Sequence, residues 1–176
     1  KGIKSIHQMF LPRAAHSLGT LWGKASAHSD TRIRNMLLYF VEQAIWTSSL
    51  LNRFRPTGYS QVNQYMSGAY YVGSQISEVS PWYVLTGKLR RLGTAFSALA
   101  SSASNVAVST GSCTQLTVPS DSIDYVFTDP PFGDNFPYAE LNFLVESWHG
   151  VVSKLHFDAI VDRSKQNKDA QKDLSD

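Results

Sequence analysis

Apolar residues recur at helical spacing in the first part of the chain. Pro12 suits the first position of a helix, and the apolar residues that follow it lie three or four positions apart. Ser29 and Asp30 are typical N-cap residues, and the pattern after them predicts a long amphipathic helix over roughly residues 31–53. Pro56 and Gly58 are expected to end that helix.

Two further helices are predicted later in the chain. Ser80 followed by a proline indicates a helix start, and an apolar stripe continues from there to Leu99. The last helix is predicted from Tyr138 to Trp148, and Gly150 is expected to stop it.

Two short apolar runs interrupt this helical pattern and predict strands over 106–110 and 123–128, with a turn over 119–122 between them. Their nearly continuous apolar character is typical of strands buried on both faces, as in a parallel sheet. The sequence therefore predicts an α/β fold. We expect three parts: a mainly helical, basic segment (1–104), part of an α/β core (105–160) and a polar tail (161–176).

Composition adds a marked charge asymmetry. Hydrophobic residues make up 43% and charged residues 17%, which fits a globular chain. Residues 1–100 contain 11 Lys and Arg against three acids, a net +8, whereas residues 101–176 contain 5 against 11, a net −6. This distribution is consistent with a polyanion held by the first region, or simply with a dipolar surface.

Other features exclude some classes of protein. No apolar run approaches the roughly 20 residues of a membrane span, and the start of the chain lacks the apolar core of a signal peptide. Cys113 is the single cysteine, so no internal disulfide forms, and a reducing, cytoplasmic location is expected. The five histidines show no metal-binding spacing, so no metal is expected.

A loop rich in Tyr, Gly and Ser is predicted over 56–79. Tyr59 and other tyrosines stand among amides and hydroxyls there, directly after Arg53 and Arg55. Such residues stack on bases and contact phosphates, but they also occur in ordinary surface loops whose tyrosines pack on the core. Three cations of the helix after Ser80 similarly indicate either a solvated face or a phosphate-contacting patch: Lys88, Arg90 and Arg91.

The second predicted strand ends in an acid, two prolines and an aromatic residue. Ligands of open parallel sheets bind beyond the carboxyl ends of the strands, which puts Asp129 at the expected position. Pro130 and Pro131 stiffen the backbone there. The Asp129 carboxylate and the Pro130 carbonyl oxygen are hydrogen-bond acceptors, and Phe132 offers a flat apolar face. This combination suits a planar heteroaromatic group with an exocyclic amino group.

These residues carry a resemblance to a known family. The run SIDYVFTDPPFGDNFPYAELNFLVESWHG is similar to the catalytic region of S-adenosylmethionine-dependent amino-group methyltransferases of DNA, whose motif is Asp/Asn/Ser-Pro-Pro-Tyr/Phe/Trp. Upstream stretches such as MFLPRAAHSLGTLW and TGSCTQL also resemble that group, so the similarity extends through most of residues 9–150. It implies a partial Rossmann-like methyltransferase sheet with a large helical N-terminal insertion.

The resemblance also implies a mechanism and a set of site residues. Asp129 and Pro130 would hold the amino group of a base flipped out of double-stranded DNA, Pro131 would stiffen the turn, and Phe132 would stack on the base. Adenine N6 is favoured over cytosine N4 because the first motif residue is Asp. Residues expected to contact DNA are Arg53, Arg55, Tyr59, Asn135 and Tyr138, although Asn135 and Tyr138 would equally suit a helix cap and a polar surface.

The cofactor implied by the resemblance is S-adenosylmethionine, with Ser112 and Thr110 expected near it. The family's Gly-rich cofactor motif is missing from the sequence. We therefore expect the chain to be a fragment that binds the cofactor poorly and is inactive when isolated. A bacterial or phage origin and a partner restriction endonuclease also follow from the resemblance.

Two alternatives remain open. N2-guanine methyltransferases of transfer RNA use a strand followed by a similar motif, and residues 128–133, TDPPFG, fit them. The chain could also be a nucleic-acid-binding module that kept the turn and lost the cofactor site. Cofactor binding separates enzyme from module, and the choice between DNA and transfer RNA separates the two enzymes.

Overall fold

The computed structural model of the chain describes residues 2–62, 70–99, 105–111, 116–129 and 138–153. Within these ranges helices predominate, and a small antiparallel sheet joins them, so the described part of the chain contains both helix and strand. In chain order the elements are a 3-10 turn (Ile6–Met9), α1 (Pro12–Ser26), α2 (Thr31–Glu42), α3 (Ile45–Ser48), β1 (Asn52–Arg53), β2 (Gln61–Val62), α4 (Pro81–Leu99) and α5 (Tyr138–His149).

Several helix boundaries follow the sequence signals. Asp30 caps α2, because its carboxylate accepts a hydrogen bond of 2.9 Å from the N–H of Ile33. Gly150 ends α5 with a φ of +69°, which a residue without a side chain adopts at little cost. The N–H of Val151 then bonds to the carbonyl of Glu146 at 3.1 Å, which gives the helix a Schellman-type end. These predictions are confirmed.

The prediction of one long helix over 31–53 is wrong. α2 ends at Glu42, and a turn leads into the four-residue α3. The turn brings Ile45 into the core with no exposed surface. The Ser49 hydroxyl then donates to the backbone carbonyl of Trp46 at 2.8 Å, and so competes for an acceptor that a continuing helix would use. The chain continues from there as a strand instead of a helix.

Asn52 fixes the short sheet to the rest of the protein. β1 and β2 are antiparallel, with Asn52 opposite Val62. The buried side chain of Asn52 donates to the carbonyls of Thr47 at 2.9 Å and Ser77 at 3.0 Å. The backbone carbonyl of Asn52 accepts a hydrogen bond from the N–H of Ser77 at 2.8 Å. One residue thus holds α3, β1 and the segment before α4 together.

The two strands predicted over 106–110 and 123–128 are not formed, so this part of the prediction is wrong. Both segments lack strand pairing in the structure, and their side chains are exposed, for example Val108 at 90% and Phe127 at 83%. A strand is stabilised by ladder hydrogen bonds and by burial of its faces. The described residues supply neither the ladder hydrogen bonds nor the burial to these segments. The turn predicted between them is present, and in it the Ser122 hydroxyl donates to the carbonyl of Pro119 at 2.7 Å.

The hydrophobic core joins the first half of the chain to α5. Leu18 of α1, Ile45 of α3 and Leu144 of α5 are fully buried in one cluster. The ring of Trp148 meets that of Phe10 edge-on, with centroids 5.6 Å apart. The inward orientation predicted for the apolar face of the last helix is therefore confirmed. The other buried members of the cluster are Met9, Ala14, Ala25, Val41, Ala44, Leu51 and Leu85.

Replacement of Asn52 tests its role in the fold. Asn52→Asp keeps the shape but points a carboxylate at two carbonyl oxygens, whereas Asn52→Ala removes both donors. We expect the alanine variant to lose about 1–3 kcal/mol of the free energy of unfolding, since two buried acceptors lose their partner, and the aspartate variant to lose more. Urea unfolding measures both. Asn35→Asp, at an exposed position of α2, is the matched control. An unchanged midpoint for Asn52→Asp would contradict the assignment.

Candidate nucleic-acid interface and the DPPF segment

The expected catalytic segment lies at an edge of the described structure. Asp129, the first residue of that segment, is described and exposed. Pro130, Pro131 and Phe132 lie outside the described residues, as do Asn135 and the expected cofactor residue Ser112. Thr110 is described and exposed.

Two cavities are lined by residues away from Asp129 and Thr110. The larger of the two has a volume of about 980 Å³ and lies between α4 and the α2–α3 region. The smaller, about 450 Å³, lies between the starts of α1 and α4.

Arg53 and Arg55 are brought together on the small sheet. Arg53 Nη2 and Arg55 Nη1 both donate to the side-chain oxygen of Gln61, at 2.8 and 2.9 Å. Gly73 lets the next segment pass close by, because a Cβ at that position would lie 3.1 Å from the Cβ of Arg53. Two guanidinium groups on one neutral acceptor make a concentrated positive charge that suits a phosphate.

Tyr59 stands at the tip of the loop between β1 and β2. Its φ is +61°, which is uncommon for a residue with a side chain, and it follows Gly58 with a φ of +87°. The Ser60 N–H bonds to the carbonyl of Gly58 at 2.7 Å, so the turn is tight. The ring of Tyr59 is 72% exposed. An exposed ring in the loop that also carries Arg55 has the free face that base stacking needs.

Tyr70 behaves differently, and sequence reasoning did not single out its role. Its half-buried hydroxyl accepts from the N–H of Leu144 at 2.8 Å and donates to the carbonyl of Leu141 at 3.2 Å. Its ring meets that of Trp46 edge-on at 6.1 Å. Burial raises the pKa of Tyr70, and the charges of Glu146 and Glu140 add to this, although the bond from Leu144 opposes it. The core-packing interpretation of the loop tyrosines thus holds for Tyr70.

Tyr138 is the first residue of α5, the helix that follows the candidate catalytic segment. It is partly exposed. The packing of Leu144 and Trp148 holds α5 against α1 and the 3-10 turn, so the start of the helix has a defined position.

The acids of the first hundred residues are all engaged by nearby groups. Asp30 caps α2, Glu78 forms an ion pair with Arg13, and Glu42 lies 3.0 Å from Nε2 of His149. The ring of His149 also packs edge-on against Trp22 at 4.8 Å. Among the described residues, the other cations of this region have no carboxylate partner. The excess positive charge predicted from the sequence is therefore available to a ligand.

Comparison with protein-family models, with curated proteins and with solved structures finds no match to the chain. The methyltransferase resemblance consequently remains a prediction from the sequence motif. Helices in the described part of the chain are too short or too polar to cross a bilayer. The same residues hold no group of three or more His, Cys, Asp and Glu side chains placed to bind a metal ion.

Tyr70 predicts a defined pH dependence of stability. Its raised pKa means that the folded chain keeps the hydroxyl proton at pH values where the unfolded chain, with an ordinary tyrosine pKa near 10, has released it. Stability from this group is complete below about pH 10 and is lost as the pH rises further. We expect Tyr70→Phe to be less stable at neutral pH and to lose less stability between pH 9 and 11.

Urea midpoints across that pH range measure the effect. Tyr71→Phe is the control, because the neighbouring tyrosine is exposed and the same substitution removes one titrating hydroxyl there. Equal alkaline slopes for the wild type and Tyr70→Phe would show that the Tyr70 hydroxyl is not held as described.

Proposed function

We propose that this protein transfers a methyl group from S-adenosylmethionine to the exocyclic amino group of a base in double-stranded DNA, with adenine N6 as the target. The observation that carries the proposal is the run TDPPFG at residues 128–133, placed after an apolar segment and before α5. An exposed Asp129 supports it, because its carboxylate is accessible to a ligand.

The chemistry assigned to these residues is the positioning of a nitrogen nucleophile. The Asp129 carboxylate and the Pro130 carbonyl oxygen would accept the two N–H bonds of the amino group, and Phe132 would stack on the base. The cofactor supplies a methyl group on a cationic sulfur. Thr110, which the resemblance places near the cofactor, is exposed. We assign to Asp129, Pro130 and Phe132 only the capture of the base.

The proposed fold is a Rossmann-like methyltransferase sheet, and exposed apolar residues support it. Segments 105–111 and 116–129 expose several large side chains that a completed sheet would bury. Such a sheet would bury these side chains if the two segments paired as strands. The exposed side chains are Val106, Val108, Leu116, Val118, Ile123, Tyr125, Val126 and Phe127.

The proposal is tested with the protein in the form that its gene encodes. Transfer of labelled methyl groups from S-adenosylmethionine is measured to duplex DNA and to transfer RNA, followed by identification of the modified base. N6-methyladenine in DNA supports the proposal. Methylation of guanine in transfer RNA would favour the N2-guanine alternative. If the cofactor binds neither to the free protein nor to its complex with nucleic acid, the binding module is favoured.

Substitution of Asp129 gives the sharpest single prediction. Asp129→Ala should reduce methyl transfer by far more than tenfold, because a lost positioning contact at the reacting atom has a large effect on rate. Binding to duplex DNA should change little, since the carboxylate contributes no phosphate contact. Asp124→Ala is the control, because it removes an exposed acid from the same segment. A variant at Asp129 that retained more than about a tenth of the rate would exclude the role proposed for it.

A further inference from the structure

The larger cavity combines exposed aromatic rings with cations. This groove, called here the α4 groove, has Trp46 of α3 on one side and the first three turns of α4 on the other. Its volume of about 980 Å³ is enough for more than one nucleotide-sized group. Its lining residues are Glu42, Gln43, Trp46, Thr47, Val62, Trp82, Tyr83, Val84, Thr86, Gly87, Lys88, Arg90 and Arg91.

Two aromatic residues at the start of α4 line the groove, and Trp82 also borders the smaller cavity. Trp82 is 63% exposed and Tyr83 is 78% exposed, although both line a concave surface. Large rings are usually buried or at interfaces, because their apolar area is costly to leave in water. Two adjacent exposed rings in a groove therefore indicate a surface that stacks on planar ligands.

Cations follow the rings along the same helix. Tyr83 and Arg90 are seven residues apart, so they lie on one face, about 10 Å apart along the axis. Gly87 lies between them, and the guanidinium of Arg91 lies close to it, since a Cβ at Gly87 would be 3.6 Å from Nη2 of Arg91. Lys88 reaches across the groove to Gln43, with 3.3 Å between its Nζ and the amide oxygen.

The charges of the groove are not neutralised by acids of the described chain. α4 contains Lys88, Arg90 and Arg91 and no acid. Glu42 is the one acid of the lining, and it is already paired with His149. The groove is thus complementary to a ligand that carries repeated negative charge beside flat rings.

We propose that the α4 groove binds single-stranded nucleic acid, with Trp82 and Tyr83 stacked on bases and Arg90 and Arg91 in contact with phosphates. Bases of a duplex are stacked on one another and offer no free face to these rings, whereas an unpaired strand does. An acidic peptide would satisfy the cations and leave both rings exposed. The proposal does not require methyl transfer, because Asp129 is not among the residues that line the groove.

The test is a titration of the 176-residue chain into a fluorescein-labelled oligodeoxythymidylate of 20 nucleotides, followed by anisotropy. A duplex of the same length and a labelled oligoglutamate are the comparison ligands. We expect the single strand to bind most tightly and its affinity to fall as salt is raised. Equal or tighter binding of the duplex or of oligoglutamate would overturn the proposal.

Variants separate stacking from charge. Trp82→Ala should weaken binding to the single strand by about 5- to 150-fold, the effect of one lost stack, while Trp82→Phe should restore most of it. Phe96→Ala removes an exposed ring of the same helix outside the groove and should bind like the wild type. Wild-type affinity in Trp82→Ala, with circular dichroism showing that it is folded, would contradict the stacking role.

The contribution of Arg90 and Arg91 is measured through the salt dependence of binding. Arg90→Gln combined with Arg91→Gln should lower the slope of log affinity against log salt by about 1.4, since each phosphate contact to a single strand contributes about 0.7. Lys24→Gln combined with Arg32→Gln removes the same charge from exposed positions of α1 and α2 and should leave the slope nearly unchanged. Equal slopes in both double variants would show that net charge acts without a defined site and would overturn the proposal.

Discussion

The packing of Trp148 against the N-terminal part of the chain is the contact on which the described structure depends. Its ring lies edge-on to Phe10 at 5.6 Å and tilted against Trp22 at 5.4 Å. More than 120 residues separate these partners in sequence, so the contact closes a long loop at an entropic cost. Burial of large aromatic surfaces offsets that cost. Through this contact α5 acquires a fixed place against α1 and the start of the chain.

Charge is arranged around this scaffold in an uneven way. Asp30, Glu42 and Glu78 are used to cap a helix or to pair with one cation each. The remaining cations of the first hundred residues therefore contribute to a shared positive electrostatic potential instead of forming local ion pairs. Arg53 and Arg55 converge on one amide oxygen, and α4 presents its own cations to a groove lined by rings. Both places combine positive charge with an exposed aromatic residue, which is what a polynucleotide requires.

The sequence predicted the helices well where local signals were strong. The cap at Asp30 and the glycine stop at Gly150 specify their ends through backbone hydrogen bonds that neighbouring residues supply. The break after Glu42 was missed, because the apolar spacing continues across it. Burial of Ile45 and the bonds of Asn52 to distant carbonyls, which no periodicity reveals, decide the path of the chain there.

Strands were harder to predict for a related reason. The apolar runs at 106–110 and 123–128 have the composition of buried strands, but a strand requires a partner, and partners are a property of the tertiary structure. In the candidate site, too, some residues were singled out from the sequence and others were missed. Arg53, Arg55 and Tyr59 were singled out from the sequence; the two arginines meet at Gln61 of β2, and Tyr59 lies in the loop between β1 and β2. The stacking surface at Trp82 was missed, because in the sequence it looks like the first turn of an ordinary amphipathic helix.

The two proposed sites share a physical connection through Tyr70. The ring of Tyr70 contacts Trp46, which lines the α4 groove, and its hydroxyl bonds to backbone groups of α5, the helix that follows the DPPF segment. A hydroxyl inserted between two helical backbone groups holds the helix in one register, because a shift by one residue would remove both bonds. The groove and the start of α5 therefore rest on one set of contacts. A strand captured in the groove would therefore lie on the same set of contacts that holds α5.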